Sequence, residues 1–301
     1  MLARVQKFTT LGGLALALLW AALCWRSGHA AWALGGAALM VGSYALVLAM
    51  EFLFIGLAHG DEDPTPRATA AQRAAAWWME VCAAPRVFCW RQPFFSSRFP
   101  DSLPSDAHGR RGVLFVHGFF CNRGLWNPWL KRLDRGGTPF VALNLEPVFG
   151  SIDDYVPLIE SAVSRLESAT GDKPLLVAHS MGGLAVRAWM RDGRSDTRVR
   201  GVITLGTPHR GTWMARAAFS PNARQMRLGS DWLRVLAASE PASRRRLFLC
   251  FFSRCDNIVF PADHACLPGS ETCHLPATAH VHMLHHPTVL RRMLHSLQAS
   301  R

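Results

Sequence analysis

Lysine is almost missing from this chain. Lys7, Lys131 and Lys173 are three of 33 basic residues, and the rest are arginine. Acidic residues are also scarce, 21 against those 33, which leaves a net charge of +12. A basic excess of this size raises the question of nucleic acid. However, the arginines are scattered, only Arg244, Arg245 and Arg246 form a run of three, and no aromatic residues alternate with them to stack on bases. Nucleic acid is therefore not an expected partner, whereas attraction to anionic lipid headgroups fits the same charge. Cysteine is sparse: eight in 301 residues, with no C-x-x-C pair, which excludes a disulfide scaffold. Cys266 and Cys273 are near enough in sequence to bridge a local loop in an oxidising compartment, but free thiols are the expected state. The spacing of Cys250, Cys255, Cys266 and Cys273 matches no common zinc pattern, so neither a metal nor a cofactor is expected. Nothing repeats, and no low-complexity tract stands out.

Charge is absent from two long stretches near the start. Phe8 to Trp25 is a run of 18 uncharged residues and Ala30 to Met50 a run of 21. Each approaches the roughly 20 residues needed to cross a bilayer core. Gly12, Gly13, Gly35, Gly36 and Gly42 are small enough to let two such helices pack closely, and Trp25 and Trp32 flank the short connection where interfacial aromatics belong. The pattern predicts a transmembrane helical hairpin over residues 1–58. Arg4 and Lys7 precede it, and Arg67 and Arg73 follow the acidic Asp61-Glu62-Asp63, while the connection holds only Arg26 and His29. That bias puts both ends, and the rest of the chain, on the cytoplasmic side. Two rival readings remain. In one, a signal peptide is cleaved near Gly28-His29-Ala30, leaving the second span as an anchor and the enzyme in the periplasm. In the other, the helices are a buried pair in a soluble core.

Residues 59–91 read as a linker and an amphipathic segment. Trp77, Trp78, Met79, Phe88 and Trp90 are interspersed with Arg73, Arg86 and Arg91, which suits either a membrane interface or a helix packed on the catalytic core. From residue 92 to 301 a new rhythm sets in. Short apolar runs at 112–116, 139–145, 174–178, 199–205 and 247–252 alternate in their earlier part with helical patterns at 125–133, 152–169 and 181–190. Strands alternating with helices, and continuous rather than alternating apolar runs, predict a mostly parallel sheet with helices on both faces. Residues 213–243 interrupt the rhythm, and their apolar side chains, Trp213, Phe219 and Trp232 among them, are expected to form a cap insert over an acyl pocket or a packed helix pair.

The chemistry centres on Ala178-His179-Ser180-Met181-Gly182-Gly183, where a buried strand ends and a helix begins. A serine on such a turn projects into the open, and small residues on either side admit neighbouring backbone. Ser180 is therefore the candidate nucleophile. Its oxyanion hole needs two backbone donors: the N–H of Met181 just after it, and that of Phe119 in the loop Val116-His117-Gly118-Phe119. His117 is expected to orient this loop. An acid and then a histidine should follow in the chain. Asp256, just beyond the 247–252 run, is the preferred acid, with Asp263 the alternative. His280, before the last helix, is the candidate base, and His282 and His285 are expected at the surface.

These motifs resemble the α/β-hydrolase superfamily. The Ala178–Gly183 elbow resembles that of bacterial triacylglycerol lipases carrying alanine in place of the usual first glycine. Leu205-Gly206-Thr207-Pro208-His209-Arg210-Gly211-Thr212 resembles a stretch of lipases and of glycolipid-anchor inositol deacylases. The resemblance covers about residues 110–298. It implies the α/β-hydrolase fold and ester hydrolysis without a cofactor, Ser180, Asp256 and His280 as the triad, Phe119 and Met181 as the hole, and a structural His209. The expected protein is thus a serine lipase or esterase of a bacterial inner membrane, with lipid esters as substrate and membrane lipids as surroundings. Acyl transfer and a silent membrane scaffold are the alternatives, and a peptidase is a third.

Overall fold

The computed structural model describes residues 1–57, 66–192 and 194–298. The acidic run at Asp61–Asp63 and Pro64 lie outside the described residues. Two long helices come first, α1 (Leu2–Arg26) and α2 (Ala30–Leu57). At 1.5 Å per residue they are about 37 and 42 Å long, more than the roughly 30 Å hydrocarbon core. Only 6% and 11% of their most apolar stretches are buried within the protein. A helix pair in a soluble core would hide those faces, so this feature speaks against the buried-pair reading. Of the five glycines expected to pack the hairpin, Gly12, Gly13, Gly35, Gly36 and Gly42, only Gly36 sits against the opposite helix, where a Cβ would fall 2.0 Å from Trp20 Nε1. The Trp20 indole donates to the Trp32 carbonyl at 2.9 Å. Gly12, Gly13, Gly35 and Gly42 have open space beside them, so close packing through all five does not occur.

Next come α3 (Ala70–Pro85), a short π-helical turn (Arg86–Arg91) and α4 (Gln92–Phe95). A capping box at Thr69 and Gln72 starts α3. One face of this segment packs inward through Ala76, Glu80, Ala83 and Val87, while Trp78, Met79 and Trp90 stay exposed. The segment thus packs on the rest of the chain through one face. The polar ends of α1 and α2 also meet the rest of the chain. Buried Gln6 donates to Gln92 Oε1 at 3.0 Å and to the Phe120 carbonyl at 3.3 Å. Tyr44 donates to the Val81 carbonyl, and Trp77 to that of Ala45.

The sheet is fully parallel, in the order β2-β1-β3-β4-β5-β6. Its strands are β1 (Val113–Val116), β2 (Phe140–Ala142), β3 (Leu175–His179), β4 (Gly201–Leu205), β5 (Phe248–Phe252) and β6 (Glu271–His274). Alternate residues feed two cores. Leu114, Val116, Leu176 and Val202 face α6 (Val156–Thr170) and α7 (Met181–Trp189). Val113, Phe115, Val177 and Ile203 face α5 (Asn127–Arg135) and α11 (Pro287–Gln298). Burial on both sides explains the unbroken apolar strands. The first five strands match the expected runs. β6 does not, because its sequence, Glu-Thr-Cys-His, lies at an edge and is only partly buried.

Residues 213–243 fold into a 3-10 turn and α8 (Pro221–Gln225), α9 (Asp231–Ala238) and α10 (Ala242–Arg245). Met226 and Leu233 join the core shared with α6 and α7. This is the packed-helix arrangement, and none of these residues lines the cavity beside Ser180. None of the eight cysteines is in a disulfide.

Candidate active site

Ser180 sits on the turn between β3 and α7 with φ 55° and ψ −130°. A non-glycine residue there is strained, and the strain persists only where surroundings over-determine it. They do so here. Its N–H donates to the Leu205 carbonyl at 2.8 Å. Its carbonyl accepts from the Gly183 N–H at 3.1 Å and from the Thr207 hydroxyl at 2.8 Å. The flanking glycines are needed for space. A Cβ on Gly182 would meet the Val116 carbonyl at 2.5 Å, and one on Gly183 the Thr207 hydroxyl at 2.2 Å. Ala178, the departure from glycine, is wholly buried between Val116 and Thr204 of the neighbouring strands.

The loop after β1 runs directly over the serine, since a Cβ on Gly118 would lie 2.6 Å from Ser180 Cβ. That brings Phe119 alongside Ser180 in one cavity, with Met181 at the first turn of α7. His117 holds the loop. Its Nε2 accepts from the Leu145 N–H at 3.0 Å, so the proton belongs on Nδ1, which donates to the Gly118 carbonyl at 2.9 Å. Burial lowers its pKa to about 4, so the ring is neutral at ordinary pH.

The structure brings Asp256 and His280 together. His280 Nδ1 lies 3.0 Å from both Asp256 oxygens. Asp256 Oδ1 also accepts from the N–H groups of Ile258 and Val259 at 2.9 Å each. Asp263, the alternative acid, is paired instead with Arg210. Burial acts to lower the His280 pKa, but the Asp256 carboxylate, with Glu80 and Glu51 behind it, outweighs burial and raises it above 6.5. His282 and His285 are partly buried, and His285 Nε2 lies 3.3 Å from Arg91. His209 is buried against Thr204 Oγ1 at 3.1 Å and Cys250 Sγ at 3.5 Å. Burial holds its pKa well down.

Several contributors to the site were not anticipated from sequence. Glu80 of α3 is fully buried and accepts from the Val281 and His282 N–H groups at 3.0 and 2.9 Å, clamping the residues just after His280. Burial pushes its carboxyl up to about 7. Asn257 accepts from the His280 N–H at 3.2 Å and donates to Glu51 of α2 at 2.7 Å. The His179 ring lies 4.6 Å from that of His280. Arg187 of α7 and Glu240 form a fully buried ion pair at 2.7–2.8 Å, and Arg187 also donates to the His209 carbonyl. Glu51 and Glu80 carried a weak signal in the sequence, as isolated acids in otherwise apolar segments.

Residues 113–265 match the model of the alpha/beta hydrolase family. The chain belongs to that family. Among solved structures the hydrolase is similar to Aspergillus fumigatus lipase B, at 16% identity and TM-score 0.58, over 67% of this chain and 55% of that one. It is similar also to the mature form of Bacillus licheniformis lipase BlEst2, at 16% identity and TM-score 0.56, over 65% of this chain and 96% of that one. At those identities the likeness is one of fold. Protein SERAC1 of Danio rerio is 31% identical over 86 residues, which is 26% of this chain and only 13% of the relative's length. The two apolar N-terminal helices are candidate membrane spans.

Proposed function

We propose that this hydrolase is a membrane-anchored serine esterase or lipase that cleaves lipid or acyl esters through an acyl-enzyme. The observation that carries the reading is His280 Nδ1 held by both oxygens of Asp256, with its ring in the cavity that also contains the strained Ser180. With Nδ1 committed to Asp256, Nε2 takes the proton of the Ser180 hydroxyl as Oγ attacks the ester carbonyl. Asp256 fixes the tautomer and stabilises the imidazolium. The Phe119 and Met181 N–H groups receive the oxyanion. As the tetrahedral intermediate collapses, His280 returns the proton to the departing alcohol. Water, deprotonated by His280, then releases the acyl group as a carboxylic acid and restores Ser180. This scheme uses no cofactor. Transfer of the acyl group to another alcohol would use the same residues.

The domain division follows: a membrane hairpin over 1–58, a linker and amphipathic segment over 59–91, and a catalytic domain over 92–301. The hydrogen bonds from Gln6 to Gln92 and Phe120 support a retained α1 rather than a cleaved leader. The basic residues Arg4 and Lys7, with Arg67 and Arg73, support an orientation with the catalytic domain on the cytoplasmic side of the membrane. The test is hydrolysis of p-nitrophenyl esters from acetyl to palmitoyl by the detergent-solubilised protein and by Ser180→Ala. Native turnover, with a drop of about 10⁴-fold or more in the variant, is the expected result. Equal activity in the two proteins, or failure of the native protein to react with a fluorophosphonate, would overturn the reading.

A further inference from the structure

The cavity that contains Ser180 and His280 has a volume of about 920 Å³. That lies at the upper end of the roughly 300–1,000 Å³ typical of small-molecule pockets. Its walls are unusual in origin. One end belongs to the catalytic domain, whose eight lining residues include Phe119, His179, Ser180, Asn257 and His280. The remainder comes from α1, α2 and the α3 segment. On α1 the lining runs from Thr10 to Leu14, and on α2 from Met40 to Glu51, a depth of about 16 Å along α2.

Polarity is graded along this depth. Glu51, Glu80, Asn257 and the two histidines cluster at the serine end, and Gly13, Leu14, Met40 and Val41 occupy the far end. The trough also opens sideways: Met40, Val41 and Val47 line the cavity and yet are 45–55% exposed. In water such an open apolar trough would be unfavourable. Against lipid it is not, because acyl chains fill it as readily as they fill the bilayer. Gly13 keeps the trough open, since nothing lies within 4 Å of a Cβ placed there.

We propose that this trough is an acyl-binding site facing the membrane interior, which admits the long hydrocarbon chain of a bilayer-resident ester sideways between the hairpin helices and delivers its carbonyl to Ser180. The proposal rests on the serine-hydrolase reading and adds the substrate class and its route. A chain already in lipid gains little hydrophobic free energy on entering the trough, so chain selection comes from shape. Side chains that fill the trough should therefore act against long esters.

The experiment uses the full chain in phosphatidylcholine vesicles, with p-nitrophenyl butyrate and p-nitrophenyl palmitate as probes. Gly13→Trp and Leu48→Trp fill the trough, and Leu18→Trp places the same bulk on the exposed outer face of α1. The palmitate-to-butyrate ratio is expected to fall about tenfold or more in the two inward variants and to stay at the native value in Leu18→Trp. Fluorophosphonate labelling of Ser180 reports that each variant is folded. An unchanged ratio in labelled inward variants would overturn the acyl site while leaving the serine hydrolase intact. Full butyrate turnover by Ser180→Ala would instead sink the underlying reading. A second arm needs no variant. At constant bulk concentration, native turnover of palmitate should follow its mole fraction in the bilayer. Turnover that follows bulk concentration would overturn lateral entry.

Discussion

At the scale of single residues, the site depends on groups that leave no room for substitution. Arg187 and Glu240 lie behind the elbow helix, each side chain 1% exposed, and neither has water to fall back on. A buried pair of this kind adds little net stability, but removing one partner strands the other charge. Glu240→Ala is therefore expected to cost about 3–5 kcal/mol and to lower the melting temperature by about 10 °C. Thermal unfolding followed by tryptophan fluorescence would measure it. A Glu240→Ala protein as stable as native would mean that the arginine finds another partner. The proposed nucleophile, Ser180, was legible in sequence, because a strand, a serine between small residues and a helix form a local pattern. Glu240 was not, since it lies 53 positions from Arg187 and no local pattern links them.

At the scale of elements, α3 acts as a strut from the membrane segment to the catalytic loop. Glu80 clamps the backbone after His280, and its charge adds to those of Asp256 and Glu51 around that ring. His179, packed on the other side, is held neutral by burial and by the charge of His280. As the proposed base, His280 must be neutral to accept the Ser180 proton, so its raised pKa moves the acid limb of kcat/KM to higher pH than an ordinary imidazole gives. Glu80→Gln removes a carboxyl whose ionised form, dominant above about pH 7, favours the imidazolium, while keeping an acceptor for the loop. The acid limb should then move to lower pH and kcat should fall, with KM little changed. A pH profile of p-nitrophenyl butyrate hydrolysis tests this, and an unmoved limb would reduce Glu80 to a packing role. The sequence marked residues 59–91 as a linker and an amphipathic segment without singling out Glu80. Only its docking showed what that acid touches. β6 escaped notice for a related reason: a half-exposed edge strand carries no apolar run.

At the scale of the whole molecule, the hairpin and the catalytic domain are joined at one end. Gln6 at the start of α1 and Glu51 near the end of α2 both bond to the catalytic part, and the turn at Ser27–His29 is the far tip. If the hairpin crosses the bilayer, the tip and the catalytic domain lie on opposite sides. An alkaline phosphatase fusion at residue 28 should be active in a bacterial host, and one after residue 298 inactive. The reverse pattern would place the catalytic domain in the periplasm.

The sequence by itself determined the membrane-length helices, the parallel sheet and the order of Ser180, Asp256 and His280, because each is written in short-range periodicity or in a turn with local steric demands. Where the cover of the active site lies was decided only by tertiary structure. The apolar insert at 213–243 looked like the cap from its composition, yet it packs into the core beside α7, and the hairpin walls the cavity instead. Apolar residues state that they will be buried or face lipid. Which surface they meet depends on how elements far apart in the chain dock, and no local pattern records that.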